Sequence, residues 1–295
     1  MNAFLGEIGK RFAERWATLL AVPGLLYLAA TTAAYVLGQH HPFALRRLLT
    51  QVTDWAKDPT FRSVGVVVLV VVLILAGSVG AGLAAGVLGW WYGLFLVLPG
   101  RRGPTKLLAD RRRARSQAAR HALEAAPREQ VEAIARRADR ISLVEADLPT
   151  WIGDRLWACR VRVDRACGLH LDSLWPRLWL TLPDSARAEV SAAQESLAGS
   201  IRLGGWATLY LVLAWWWWPA ALIALIVALT SWTRSRQATR VYADLVESCV
   251  DLYAIDVAIQ IGLADQRTQV TPELGEKMNA LLRKSRWDHR SPLAE

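Results

Sequence analysis

From Val64 to Leu98 the chain carries no charged side chain. A straight helix over that block would run roughly 52 Å, against a bilayer hydrocarbon core of roughly 30 Å. The block reads as one tilted helix projecting from a membrane, the alternative being a hairpin folded near Gly77–Gly82. Its small residues favour the single helix. Ser78, Gly82, Gly86, Gly89 and Gly93 step by 4, 4, 3 and 4 onto one face, with two GxxxG pairs at Gly82/Gly86 and Gly89/Gly93. Small residues let helices approach closely in lipid, so close helix packing is the first reading of this seam and pore lining the second.

Two further blocks are uncharged. Residues 16–38 are long enough to cross a bilayer, with Pro23 inside the span, which membrane helices tolerate. Residues 203–232 hold four consecutive tryptophans, Trp215, Trp216, Trp217 and Trp218, followed by Pro219. The residue before a proline disfavours helix and proline starts helices well, so a break falls at 218/219. Arg202 precedes this block, and Arg234, Arg236 and Arg240 follow it. A hairpin keeps both basic flanks inside, with Trp215–Pro219 as a membrane anchor at the tip. Each arm then has about 14–15 residues, short for a full crossing, so the tip settles near the far headgroups and thins the bilayer. Between the first two blocks, residues 42–57 place Leu45, Leu48, Leu49, Val52 and Trp55 on one face, the pattern of an interfacial helix or an amphipathic linker. Fifteen tryptophans suit a chain with many bilayer–water boundaries.

A net charge of +9 and a pI near 9.9 point to an anionic partner, lipid headgroups or nucleic acid. Arg101, Arg102, Lys106, Arg111, Arg112, Arg113, Arg115 and Arg120 crowd into 101–120 against Asp110 alone. By the positive-inside rule residues 101–202 are cytoplasmic, and a single helix over 64–98 puts the basic N-terminus (Lys10, Arg11, Arg15) inside as well. The expected fold is all-α: an N-terminal membrane region (1–100) with helices 16–38 and 64–98, a helical cytoplasmic domain (101–202), a Trp-tipped membrane hairpin (203–233) and a C-terminal cytoplasmic arm (234–295). Within the soluble parts the prolines and caps predict helices near 104–125, 128–147, 150–167, 170–181 and 184–201, with Thr150 and Asp184 as N-caps. A long helix is predicted over 235–264. In it Val241, Leu245, Ser248, Leu252, Ile255 and Ile259 recur in a coiled-coil-like 4-3-4-3-4 spacing. A last helix starts at Thr271-Pro272.

Little in the chain speaks for catalysis. The five histidines form neither HExxH nor an HxxxH pair, and no GxSxG, Walker A or paired-carboxylate motif occurs. Cys159, Cys167 and Cys249 have no metal-ligand spacing and read as free thiols. No cofactor, metal site or enzymatic activity is expected. Ion-coupled carriers keep charged groups at membrane depth, and the three apolar blocks have none. The arginines of 101–115 have three readings. The first is contact with anionic lipid, the second pairing with the acidic face Asp244, Glu247 and Asp251, and the third a nucleotide or oligonucleotide ligand.

Two segments carry a resemblance: Trp151-Ile-Gly-Asp-Arg-Leu-Trp-Ala, and Gly168-Leu-His-Leu-Asp-Ser-Leu-Trp-Pro-Arg-Leu-Trp-Leu-Thr-Leu-Pro-Asp184. Over roughly residues 140–235 the chain resembles a group of uncharacterised multi-pass bacterial membrane proteins common in actinobacteria, whose most specific run is WPRLW…LPD followed by a Trp-Pro hairpin. Asp154 stands where the group is expected to have Asn, and Leu169 stands beside Gly168, a glycine before which the group often has Tyr. The resemblance implies architecture and no activity. Independently of it, Trp175, Leu178, Trp179 and Leu182 form an apolar helix face suited to a core.

Two functions follow as expectations for a protein of the inner membrane. One is a homo-oligomeric pore, channel or membrane-perturbing effector controlled by the basic cytoplasmic domain. The other is a non-conducting scaffold that recruits a cytoplasmic protein complex to the membrane.

Overall fold

The computed structural model describes residues 21–39, 42–57, 63–97, 104–124, 148–266 and 268–283. The predicted helix 128–147, the basic N-terminus, the start of the first apolar block, and Arg101 and Arg102 lie outside them. Every regular element among the described residues is a helix: α1 Val22–Leu37, α2 Leu45–Lys57, α3 Val64–Val97, α4 Pro104–Glu124, α5 Trp151–Cys167, α6 Leu171–Thr181, α7 Asp184–Leu213, α8 Pro219–Gln260 and α9 Pro272–Leu282. Residues 64–97 thus form one unbroken helix, and α3 is the one described helix long and apolar enough to cross a membrane. The interfacial segment begins at Leu45 rather than at Pro42, which lies in a turn.

The chain divides into two compact units, one of residues 1–95 and 198–234, the other of 96–197 and 235–295. In the first unit α3 meets α1 and part of α7 through very close backbone contacts, and the start of α8 packs beside them through small side chains. A Cβ added at Gly205 would overlap the Ala85 carbonyl and lie 2.7 Å from the Gly89 nitrogen. One added at Gly24 would overlap Ser78, whose hydroxyl donates to the Ala21 carbonyl at 2.7 Å. Tyr27 packs edge-on to Tyr210 at 5.3 Å, and Ala34 packs with Leu213, Ala220 and Ala224.

In the second unit α6 drives Leu174, Leu178 and Leu182 into a core with Leu169, Val190, Val250, Val257 and Met278, while Trp175 and Trp179 flank it. The α6 face read from the sequence is therefore a core face. Thr150 caps α5, accepting from the Gly153 amide at 3.1 Å and donating to the Leu96 carbonyl. Gly168 ends α5 with a φ of 63°, a left-handed conformation glycine adopts without strain, and it lies against Pro272. The buried Asn279 side chain locks that corner. It donates to the Gly168 carbonyl at 2.6 Å and accepts from the His170 amide at 3.0 Å. Thr271 caps α9.

Three sequence expectations are corrected. Asp184 is the first residue of α7 rather than its cap, because the Pro183 carbonyl already accepts from the Arg187 amide. Helix α7 continues unbroken from 184 to 213 and α8 from 219 to 260, although apolar and polar stretches change over at 202/203 and 233/234. Composition shifts there without any backbone break. The heptad-like stripe of α8 is buried only in part: Ile255 enters the core and Leu245 and Ile259 pack against it, while Val241 is 48% and Leu252 66% exposed. Thr239, Ala243, Val246, Val250, Ala254 and Val257 form a more continuously buried face beside it. Small residues make that second face, so a search for large apolar side chains passes it over.

Packing this close sets a measurable contrast. Gly205→Ala should destabilise the protein by about 1–3 kcal/mol, since a backbone carbonyl cannot rotate away as a side chain can. Gly86→Ala, whose Cβ meets nothing within 4 Å, should stay within about 1 kcal/mol of wild type and on the stabilising side. Thermal unfolding in detergent reads both; equal melting temperatures for the two variants would refute the contact.

Candidate functional site

The seam residues of α3 are split by helical geometry. At 100° per residue, Ser78, Gly89, Gly82, Gly93 and Gly86 sit at about 0°, 20°, 40°, 60° and 80° around the axis. The first three are buried. Gly89 lies against the Ile201–Arg202 backbone, with a Cβ there 3.1 Å from the Arg202 Cα, and Gly93 against the Ile201 side chain. Gly86, at the far edge of the stripe, faces open space. The structure therefore engages Ser78, Gly89 and Gly93 within one chain and leaves Gly86 out. Gly24, against Ser78, Gly205, against Ala85 and Gly89, and Gly204, against the Tyr92 ring, escaped the sequence analysis, although Gly204-Gly205 inside an apolar helix was a visible signal.

The tryptophan run forms a turn over Ala214–Trp218, with Pro219 opening α8. Beyond the turn the Ser231 hydroxyl donates to the Ser200 carbonyl at 2.8 Å, so the helices on either side lie against each other. The carbonyls at the end of a helix lack intrahelical donors. Here the Gln39 amide supplies them, donating to the Ala214 and Trp215 carbonyls at 3.2 and 2.6 Å and accepting from the Trp218 amide. The Trp217 indole donates to the Pro42 carbonyl at 3.2 Å, and Phe43 stands edge-on to Trp218 at 5.6 Å. Trp215 is 82% exposed, Trp216 and Trp218 are exposed, and Trp217 is half-buried. Gln39 had no signal of its own in the sequence.

In the second unit the first turns of α5 hold two adjacent buried charges, Asp154 at 4% exposure and Arg155 at 6%. Neighbours on a helix point about 100° apart, so each reaches a different element. Asp154 accepts from Arg112 of α4 through Nε and Nη2, at 3.1 and 2.6 Å, and from the Leu148 amide at 2.8 Å. Arg155 donates to Glu247 of α8 at 3.0 Å and to Asp244, while Arg162 reaches Glu247 at 3.3 Å. Taking such charges from water costs several kcal/mol each, which only multiple well-directed bonds offset. An Asn at 154 would still accept from Leu148 but would leave Arg112 without an opposite charge. Arg236 and Arg240 stack over the Trp151 ring at 4.7 and 4.9 Å from its centroid. Burial first, then the neighbouring Arg240 and Arg112 charges, lower the pKa of Arg236.

Of the arginines expected at the anionic contact, Arg112 is thus committed to Asp154, and Arg113 bonds Asp110 within α4 at 3.1 Å. Lys106, Arg111 and Arg115 are exposed. The acidic face Asp244–Glu247 pairs with α5 and not with the arginines of α4. Among the described residues no cluster of three or more His, Cys, Asp or Glu is placed to hold a metal ion. No family model, curated protein or solved structure matches the chain. The described residues define an all-helical architecture with one helix among them long and apolar enough to span a membrane.

The buried pairs and thiols are open to direct measurement. Arg155→Ala should cost about 1–3 kcal/mol, because it leaves the largely buried Glu247 with only the half-exposed Arg162 and empties a buried site, whereas Arg113→Ala, removing a partly exposed i,i+3 pair, should cost at most about 0.5 kcal/mol. Urea unfolding compares them, and similar midpoints would contradict the network. The Cys159 thiol is pushed up to about 12, by burial first and then by Glu247. At pH 8 only about one thiolate in ten thousand would form. Native Cys159 should stay unlabelled by maleimide for hours, and rapid labelling would show that the site opens.

Proposed function

We propose that the chain is a non-conducting inner-membrane scaffold that holds a basic helical unit at the cytoplasmic surface. The observation that carries this reading is the fate of the α3 seam. Ser78, Gly89 and Gly93 are consumed by helices of the same chain, so the residues best suited to bring α3 helices of two copies together are already occupied. The faces of α3 left exposed are broad and aliphatic, Val67, Val71, Leu73 and Leu75 among them, which suits contact with lipid tails. On this reading α1 and α3 are the two spans, and 203–232 is a membrane hairpin with its tryptophan turn at the headgroups. Because Gln39 binds that turn, the end of α1 and the tip share one depth. Helix α2, with Leu49, Val52 and Trp55 exposed, lies along the same interface. Lys106, Arg111 and Arg115 meet anionic lipid on the opposite, cytoplasmic side, and the unit carrying them recruits a cytoplasmic partner.

The competing reading, a homo-oligomeric pore or membrane-perturbing effector, keeps Gly86 and the exposed Val241 and Leu252 of α8 as its means of self-association. Vesicle flux separates the two. Purified protein in vesicles of anionic lipid should leave potassium and proton permeability at the level of protein-free vesicles; sustained ion flux would replace the scaffold with the pore. Topology is checked independently, in a background with Cys159, Cys167 and Cys249 changed to Ser. Arg111→Cys should react with an impermeant maleimide only after the membrane is opened, and Trp216→Cys should react in spheroplasts. Labelling of position 111 from outside would invert the orientation.

A further inference from the structure

The second unit contains a cavity of about 520 Å³ that the scaffold reading does not use. Its walls come from α5, α6 and α8. Leu156, Trp157, Leu171, Trp175 and Val246 make it largely apolar and aromatic, and the small side chains of Ala243 and Cys159 leave the depth open. That volume falls within the roughly 300–1,000 Å³ of ordinary ligand sites, which pair an apolar lining with a few placed polar groups. Here the polar groups are Arg160 and Asp172, 3.1 Å apart, with side chains 51% and 73% exposed. Pro176 also lines the cavity. Having no N–H, it cannot donate to the Asp172 carbonyl four residues earlier. The rim thus offers one guanidinium for an anion and one carboxylate for a cation. A purely anionic head would be repelled by Asp172, and a purely cationic one by Arg160. Val97, the last residue of α3, belongs to the lining as well.

From this arrangement we infer that the cavity binds a single-chain zwitterionic lipid, its acyl chain along Trp157 and Trp175, its phosphate on Arg160 and its ammonium on Asp172. The inference is independent of whether the protein conducts.

Native mass spectrometry of the full chain, released from nanodiscs doped with 1-palmitoyl lysophosphatidylethanolamine, tests it. A one-to-one adduct is expected. Palmitate, which has the tail and only an anionic head, should bind at least about tenfold more weakly, and phosphoethanolamine without a tail should not bind. Arg160→Ala and Asp172→Ala should each weaken the lipid adduct about tenfold, the scale of a lost charge-assisted bond. Both side chains are more than half exposed, so neither change endangers folding. Leu156→Trp, which fills the cavity, should abolish the adduct while circular dichroism confirms helix content. The inference is overturned by absence of the lysolipid adduct, by palmitate binding as tightly, or by an adduct that survives unchanged in Arg160→Ala and in Leu156→Trp.

Discussion

Around Gly205 two helix backbones come so close that no side chain fits between them, and the first unit is organised by that approach. Helix α3 is apolar on every face, so hydrophobicity cannot select which face meets a neighbour. Only size and hydrogen bonding can. Glycines at 89, 204 and 205 remove bulk where α3 and α7 cross, and Ser78 adds a hydroxyl bond to α1. Surrounded by lipid tails as apolar as the protein, such helices would be held by dispersion and these few bonds.

In the second unit the selection rule is reversed. There the elements are amphipathic, and orientation is set by charges and caps at one end of α5. Thr150 fixes where the helix starts, Asp154 ties it to α4, and Arg155 ties it to α8. Buried ion pairs seldom add much net stability, but a mispaired arrangement would leave a bare charge, and that penalty singles out one register. Apolar burial along α6 and the middle of α8 then supplies the driving force. The cavity lies where α5, α6 and α8 diverge over small residues instead of closing.

Much of the backbone was legible in the sequence because its signals are local. The unbroken α3, the stop before Pro219, the Thr150 and Thr271 caps and the inward face of α6 all follow from composition and spacing within a few residues. What was misread depends on partners far along the chain. The heptad-like stripe of α8 has the right period, yet only Leu245, Ile255 and Ile259 of it reach the core, because the smaller residues rotated beside it let α5 and its neighbours approach there. Arg112 looked like one member of a lipid-binding cluster until the fold brought it to Asp154, a residue 42 positions away. Gln39, an ordinary polar residue after a helix, satisfies carbonyls about 175 residues later.

The sequence by itself determined that this chain is helical, where its longest apolar helix runs and where its tryptophan turn falls, because those properties depend on backbone propensity and local polarity. Tertiary structure alone decided which glycines touch, which arginines are bound and which remain exposed, and that a cavity opens between Trp157 and Trp175. Such outcomes are set by distances between residues far apart in the chain, and spacing along a single helix carries no record of them.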